Sequence, residues 1–99
     1  MQDNQALIVV DVQKDFLETG ALPVKEGSQV VPVINRIIPK FKNVVFTQDW
    51  HPEGHISFAS SHPGEALYSM IDVSYGKQVL WPEHCVQDTA GAEFAEGLN

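Results

Sequence analysis

The stretch ALIVVD, Ala6 to Asp11, sets five apolar residues in an unbroken row and then stops on a carboxylate. A row with no polar alternation suits a strand buried on both faces of a parallel sheet. Beyond the loop Thr19-Gly20-Ala21-Leu22-Pro23, Ser28 is placed to cap a helix that carries Val30, Val33, Ile34, Ile37 and Ile38 at helical spacing. Pro32 is tolerable only near the start of that helix, and Pro39 predicts its end or a bend. Val44-Val45-Phe46-Thr47 is a second short apolar run, so strand, helix and strand read as one βαβ unit with a right-handed crossover. The fold class is therefore α/β.

Each strand delivers a carboxylate, Asp11 or Asp49, to its C-terminal end, and open α/β sheets bind ligands at that edge. From Glu53 to Gln78 the pattern dissolves into Gly, Ser, Pro and His, a loop-rich length of the kind used for binding or lids. Leu80-Trp81-Pro82-Glu83-His84-Cys85 follows, and Ala90 to Leu98 is a further helical candidate. Two parallel strands and one helix make a poor sheet, because each apolar strand needs neighbours and cover on both faces. The 99 residues are therefore expected to be the N-terminal portion of a larger parallel-sheet domain.

Composition narrows the partners. Thirteen acidic against six basic residues give a formal charge of −7, and the scattered Lys and Arg argue against nucleic acid or an anionic membrane as partner. Self-association is left open. The single cysteine cannot form an internal disulfide, so no oxidising compartment is required. The start of the chain lacks the basic region of a signal peptide, and Ala6 to Val10 is far too short to span a bilayer, which makes the cytoplasm the expected compartment.

Asp49 and His51 are two apart, so in extended backbone their side chains project to one side. An Asp with a His suits Zn²⁺, and also Fe²⁺ or Mn²⁺. A third ligand must come from His55, His62 or His84; His84, in the proline-fixed turn before Cys85, is the first choice, and His55 could join through its own loop. The plain alternative is a turn-capping Asp49 beside a surface histidine. Asp11 is placed to act as a general base, or to accept backbone N–H bonds from the next loop. Cys85 shows no activating motif and reads as a small buried hydrophobe. Phe16, Trp50 and Trp81 read as core packing, while Phe16 and Trp81 lie close enough to Asp11 and His84 in sequence to wall a flat ligand.

Taken together, Ala6 to Phe16, then Thr47-Gln48-Asp49-Trp50-His51-Pro52 with Ser57-Phe58-Ala59-Ser60, then Leu80 to Val86, resemble the nicotinamidase (pyrazinamidase) branch of the isochorismatase-like cysteine hydrolases. The resemblance implies a three-layer parallel-sheet domain that hydrolyses nicotinamide to nicotinic acid and ammonia through a cysteine thioester. It implies that Asp11 is the catalytic acid/base, that Asp49, His51 and His84 bind a divalent metal, usually zinc or iron, and that Phe16 and Trp81 flank the pyridine ring. His55 matches a position that supplies a further ligand in some members. Cys85 matches a noncatalytic cysteine, so the catalytic lysine and cysteine are expected beyond this chain. Another hydrolase of the superfamily, or a noncatalytic metal-binding module, are the alternative readings.

Overall fold

The computed structural model describes residues 4–99. Strand β1 (Ala6–Val9) and strand β2 (Asn43–Phe46) pair in parallel, with Leu7 opposite Val44 and Val9 opposite Phe46. Between them runs one helix, α1 (Val30–Ile37). Side chains alternate across a pleated strand. Leu7, Val9, Val44 and Phe46 accordingly share the face that packs on Val31, Ile34 and Ile38, with Val12, Ala95 and Leu98 closing the same cluster.

The opposite face carries Ile8, Val10 and Val45, all more than half exposed. The expectation of burial on both faces therefore holds for only one. A single helix can cover only one side of a two-stranded sheet, and among the described residues nothing covers the other.

Helix α1 departs in detail from its sequence pattern. Ser28 sits in a turn of 3-10 helix (Gly27–Gln29) that precedes it, and its hydroxyl donates to Glu18 Oε2 (2.6 Å) instead of capping the helix. That bond holds the Glu18 carboxyl below the usual carboxylate range. Pro39 falls in a terminal 3-10 turn (Ile38–Lys40), so the helix does stop there. Val30 and Val33 face solvent while Ile34 is buried, because the covered stripe is narrower than the apolar one.

The loop-rich middle holds more order than its composition suggested. Strand β3 (Met70–Val73) and strand β4 (Gly76–Val79) form an antiparallel hairpin in which Val73 pairs with Gly76. Gly76 takes φ 128°, a conformation that side chains resist. The predicted helix from Ala90 to Leu98 is absent: only a 3-10 turn forms at Ala90–Ala92, after which Glu93 is extended and Phe94 bridges to Gln13. Pairing with the segment after β1 competes successfully with a helix that has Gly91 near its start.

The radius of gyration, 16.1 Å, exceeds the ~13 Å expected of a compact domain of this length. The two sheets do not merge, and the molecule extends over 50 × 28 × 23 Å. Phe58, Leu80 and Cys85 are fully buried as well, outside the cluster on α1. No helix among the described residues is long and apolar enough to cross a membrane.

Burial along α1 sets the stability response. Ile34→Ala, at a position only 7% exposed, is expected to lower the unfolding free energy by about 2–5 kcal/mol. Val33→Ala, on the outer side, should cost far less. Urea titration of the full chain with each variant checks the order, and equal losses would show that the helix packs differently.

Candidate metal centre and active site

The C-terminal edge of the parallel pair is tied by side chains once the ladder ends. Asp11 adopts φ 52°, a left-handed conformation that Asp tolerates better than most residues. Its N–H donates to the Thr47 hydroxyl (3.0 Å), and that hydroxyl donates to Asp11 Oδ1 (2.6 Å). The carboxylate is thus fixed, half-buried, at the edge. With Val12, Phe16, Leu17, Val24 and Val30 it lines a cavity of about 300 Å³, at the small end of ligand-pocket sizes.

Beyond β2 the chain runs to His51, which pairs in parallel with Val86. The His51 N–H donates to the Cys85 carbonyl and the Gln87 N–H to the His51 carbonyl, both at 2.8 Å. This short ladder draws the His84 turn against the Asp49–His51 segment. His51 Nε2 then lies 3.5 Å from Asp49 Oδ1, and His84 Nε2 lies 3.5 Å from Asp49 Oδ2. One ligand atom from each of the three residues falls within 4.8 Å of the others.

The tautomers can be read from the backbone. His51 Nδ1 faces the His84 carbonyl oxygen (3.2 Å), and His84 Nδ1 faces the Pro82 carbonyl oxygen (2.8 Å). A carbonyl only accepts, so each Nδ1 carries the proton and each Nε2 presents a lone pair toward the Asp49 carboxylate. Three acceptor groups gathered this closely call for a cation, and a backbone carbonyl on the other ring nitrogen is the usual second-shell partner of a metal-ligating histidine. The two separations from Asp49 fit as well: ligand bonds of about 2.1 Å in tetrahedral geometry place neighbouring ligand atoms about 3.4 Å apart. Direct ion pairing would bring N and O to about 2.8 Å instead. The residues therefore fit a divalent metal, with Phe58 packed beneath all three imidazoles, those of His51, His55 and His84, at ring centroid distances of 5.2, 5.8 and 5.5 Å.

His55 stands beside this cluster rather than in it. Its ring lies 4.8 Å from that of His51, but its Nδ1 accepts the Ser57 N–H (3.2 Å) and meets the Ser57 hydroxyl (2.7 Å). A nitrogen that accepts carries no proton, so Nε2 holds it and has no lone pair to offer. Burial lowers the His55 pKa, and the neighbouring His51 pushes it the same way. His62 turns away to the Ile56 carbonyl (2.7 Å).

Phe16 joins the two halves of the site, lining the Asp11 cavity while its ring packs 5.6 Å from that of His84. Trp81 takes a different place. It bridges to Phe58, meets Tyr68 edge-on at 6.0 Å, and is not among the residues lining the Asp11 cavity. Cys85 is fully buried, and its thiol is pushed up to about 12 by burial, with the carboxylates of Asp49, Asp15 and Asp11 adding to the shift. Such a thiol supplies almost no thiolate near neutrality and makes a poor nucleophile.

Two residues in the site carry no obvious mark in the sequence. Gln13, fully buried, donates from Nε2 to the Asp49 and Ala92 carbonyls (2.8 Å each) and accepts the Asp49 N–H at Oε1 (2.8 Å). Asp15 accepts the Cys85 N–H at Oδ2 (2.8 Å) and the Ala21 N–H at Oδ1 (3.2 Å). The only signal available was the alternation of polar residues at 11, 13 and 15 directly after an apolar strand.

Comparison with known proteins bears on the same residues. Residues 5–99 match the family model of the isochorismatase domain. The nicotinamidase of Acinetobacter baylyi is 50% identical over 97 residues, a span that covers 98% of this chain and 45% of that protein. The solved structure of a nicotinamidase/pyrazinamidase from Acinetobacter baumannii superposes with a TM-score of 0.95 at 51% identity, covering 99% of this chain and 47% of that one. A zinc complex of the pyrazinamidase of Pyrococcus horikoshii aligns with a TM-score of 0.66 at 43% identity, covering 95% of this chain and 46% of that one. The chain thus spans about half the length of the curated relatives it matches. With the match running through both strands of the parallel pair and through every residue of the Asp49–His51–His84 cluster, the chain belongs to the isochorismatase-domain family.

Proposed function

We propose that this chain forms the metal-binding and proton-transfer portion of a nicotinamidase, which hydrolyses nicotinamide to nicotinic acid and ammonia and accepts pyrazinamide by the same chemistry. One observation carries the reading: two histidines of fixed tautomer converge on Asp49 beside the Asp11 cavity, with Phe16 touching both. The relatives' activity supports the choice of reaction.

In this reading Asp11, held by the Thr47 hydroxyl, takes the proton of an attacking cysteine thiol. The new C–S bond expels ammonia, which leaves with the proton that Asp11 returns; water then cleaves the thioester, releasing the acid and restoring the thiol. Phe16 walls the cavity next to Asp11, and Trp81 is assigned to the other side of the pyridine ring. Asp49, His51 and His84 would hold a divalent metal, zinc first and iron or manganese as alternatives, which supplies a Lewis-acidic point for the ring nitrogen. The attacking cysteine and its assisting lysine are assigned to sequence outside these 99 residues, because Cys85 is buried and its thiol is held protonated. The reading places the protein in NAD salvage in the cytoplasm.

The metal site is tested first. The full chain should bind one equivalent of zinc, and His51→Ala with His84→Ala should abolish binding. Affinity should fall on acidification, because protonated imidazole cannot ligate. Zinc retained by the double variant would remove the site.

Activity tests the assignment of roles. In the full-length protein, Asp11→Asn is expected to lower kcat for ammonia release from nicotinamide by about 10²–10⁴. Cys85→Ser should leave it unchanged, and a loss there would make Cys85 the nucleophile after all.

The buried thiol has its own check. Native Cys85 should resist iodoacetamide at neutral pH and react only after denaturation, as followed by mass spectrometry.

A further inference from the structure

We infer that Gln13 and Asp15 are the positioning residues of the metal centre, Gln13 fixing Asp49 through its backbone and Asp15 fixing His84 through the peptide that follows it. The inference rests on the metal reading above and goes beyond it to residues that touch no metal.

Asp49 lies three residues past the end of β2, where ladder bonds no longer hold the chain. The Gln13 amide replaces them. It takes the Asp49 N–H and donates to the Asp49 carbonyl, so the residue is gripped on both sides of its Cα, as a neighbouring strand would grip it. The second amide proton goes to the Ala92 carbonyl, which anchors the Gln13 side chain in turn. Gln13 is fully buried, so water offers no substitute partner for these groups.

Asp15 does the corresponding work on the other ligand segment. Cys85 adopts φ 48°, a left-handed conformation uncommon for a side-chain-bearing residue, directly after His84. Its N–H donates to the Asp15 carboxylate, a charge-assisted bond that holds this turn closed. Gly91 leaves the space: a Cβ there would collide with the Asp15 carboxylate.

Asp11, Gln13 and Asp15 are alternate residues of one short segment. The proposed proton-transfer group and the anchors of two ligand segments therefore share one stretch of backbone. Metal affinity should respond to changes at 13 and 15 although every ligand atom remains.

The test uses the full chain. Zinc affinity is measured by competition with a chromophoric chelator for the unmodified protein and for Gln13→Met, Gln13→Glu, Asp15→Leu and Asp15→Asn. The cobalt(II) absorption spectrum of each folded, cobalt-saturated protein is recorded alongside. Gln13→Met and Asp15→Leu are expected to weaken zinc binding by about 10–100-fold and to change the cobalt spectrum. A residue that merely stabilises the fold would leave that spectrum alone. Asp15→Asn keeps an acceptor oxygen and should recover most of the affinity lost in Asp15→Leu. If Gln13→Met does not fold, the nearly isosteric Gln13→Glu decides, and if Asp15→Leu does not fold, Asp15→Ala takes its place: weakened zinc with an altered cobalt spectrum supports the inference. Folded Gln13→Met or Gln13→Glu, and folded Asp15→Leu or Asp15→Ala, with unchanged affinity and spectrum overturn it while leaving the metal site standing. Failure of the unmodified protein to bind zinc overturns both.

Discussion

The parallel register of β1 on β2 is the constraint on which the rest depends. Setting Val9 opposite Phe46 brings Asp11 against Thr47, and the hydroxyl-to-carboxylate bond between them continues the pairing after the ladder has stopped. A slip of one residue would turn Leu7 and Val9 away from α1 and carry Asp11 to the other side of the sheet. From that edge Gln13 reaches Asp49, Asp15 reaches Cys85, and Phe16 reaches the ring of His84. A single short segment thus connects the strand edge, the cavity and the segments that carry Asp49 and His84.

The site also separates charge from reactivity. Burial first, and the carboxylates of Asp49, Asp15 and Asp11 after it, push the Cys85 thiol up. The same carboxylates suit a cation: Asp49 shares its two oxygens between two imidazoles whose tautomers are fixed by backbone carbonyls. His55 stands beside these residues, with the Ser57 N–H at its Nδ1.

Much of this was legible in the sequence where local rules govern. Unbroken apolar runs located β1 and β2, Pro39 stopped the helix near where it ends, and Asp-x-His with a later histidine marked the three residues that converge. The β3–β4 hairpin was not legible, because its strands are four residues long and none of their side chains is fully buried, so no sustained pattern marks them. The helical pattern at Ala90 to Leu98 misled, because cross-chain pairing of Gln13 with Phe94 outweighed a weak local preference.

The sequence by itself determined which chemistries are available: an apolar strand ending in an acid, a chain poor in basic residues, and ligand types suited to zinc. Only the tertiary structure decided which of these groups meet. It brought His84 to Asp49 across 35 positions, turned His55 Nδ1 to Ser57 and bridged Trp81 to Phe58. It also gave Gln13 a buried grip on both sides of Asp49. The physical reason is that residue type fixes what a side chain can donate, accept or ligate, whereas backbone pairing between distant segments fixes where its lone pairs point.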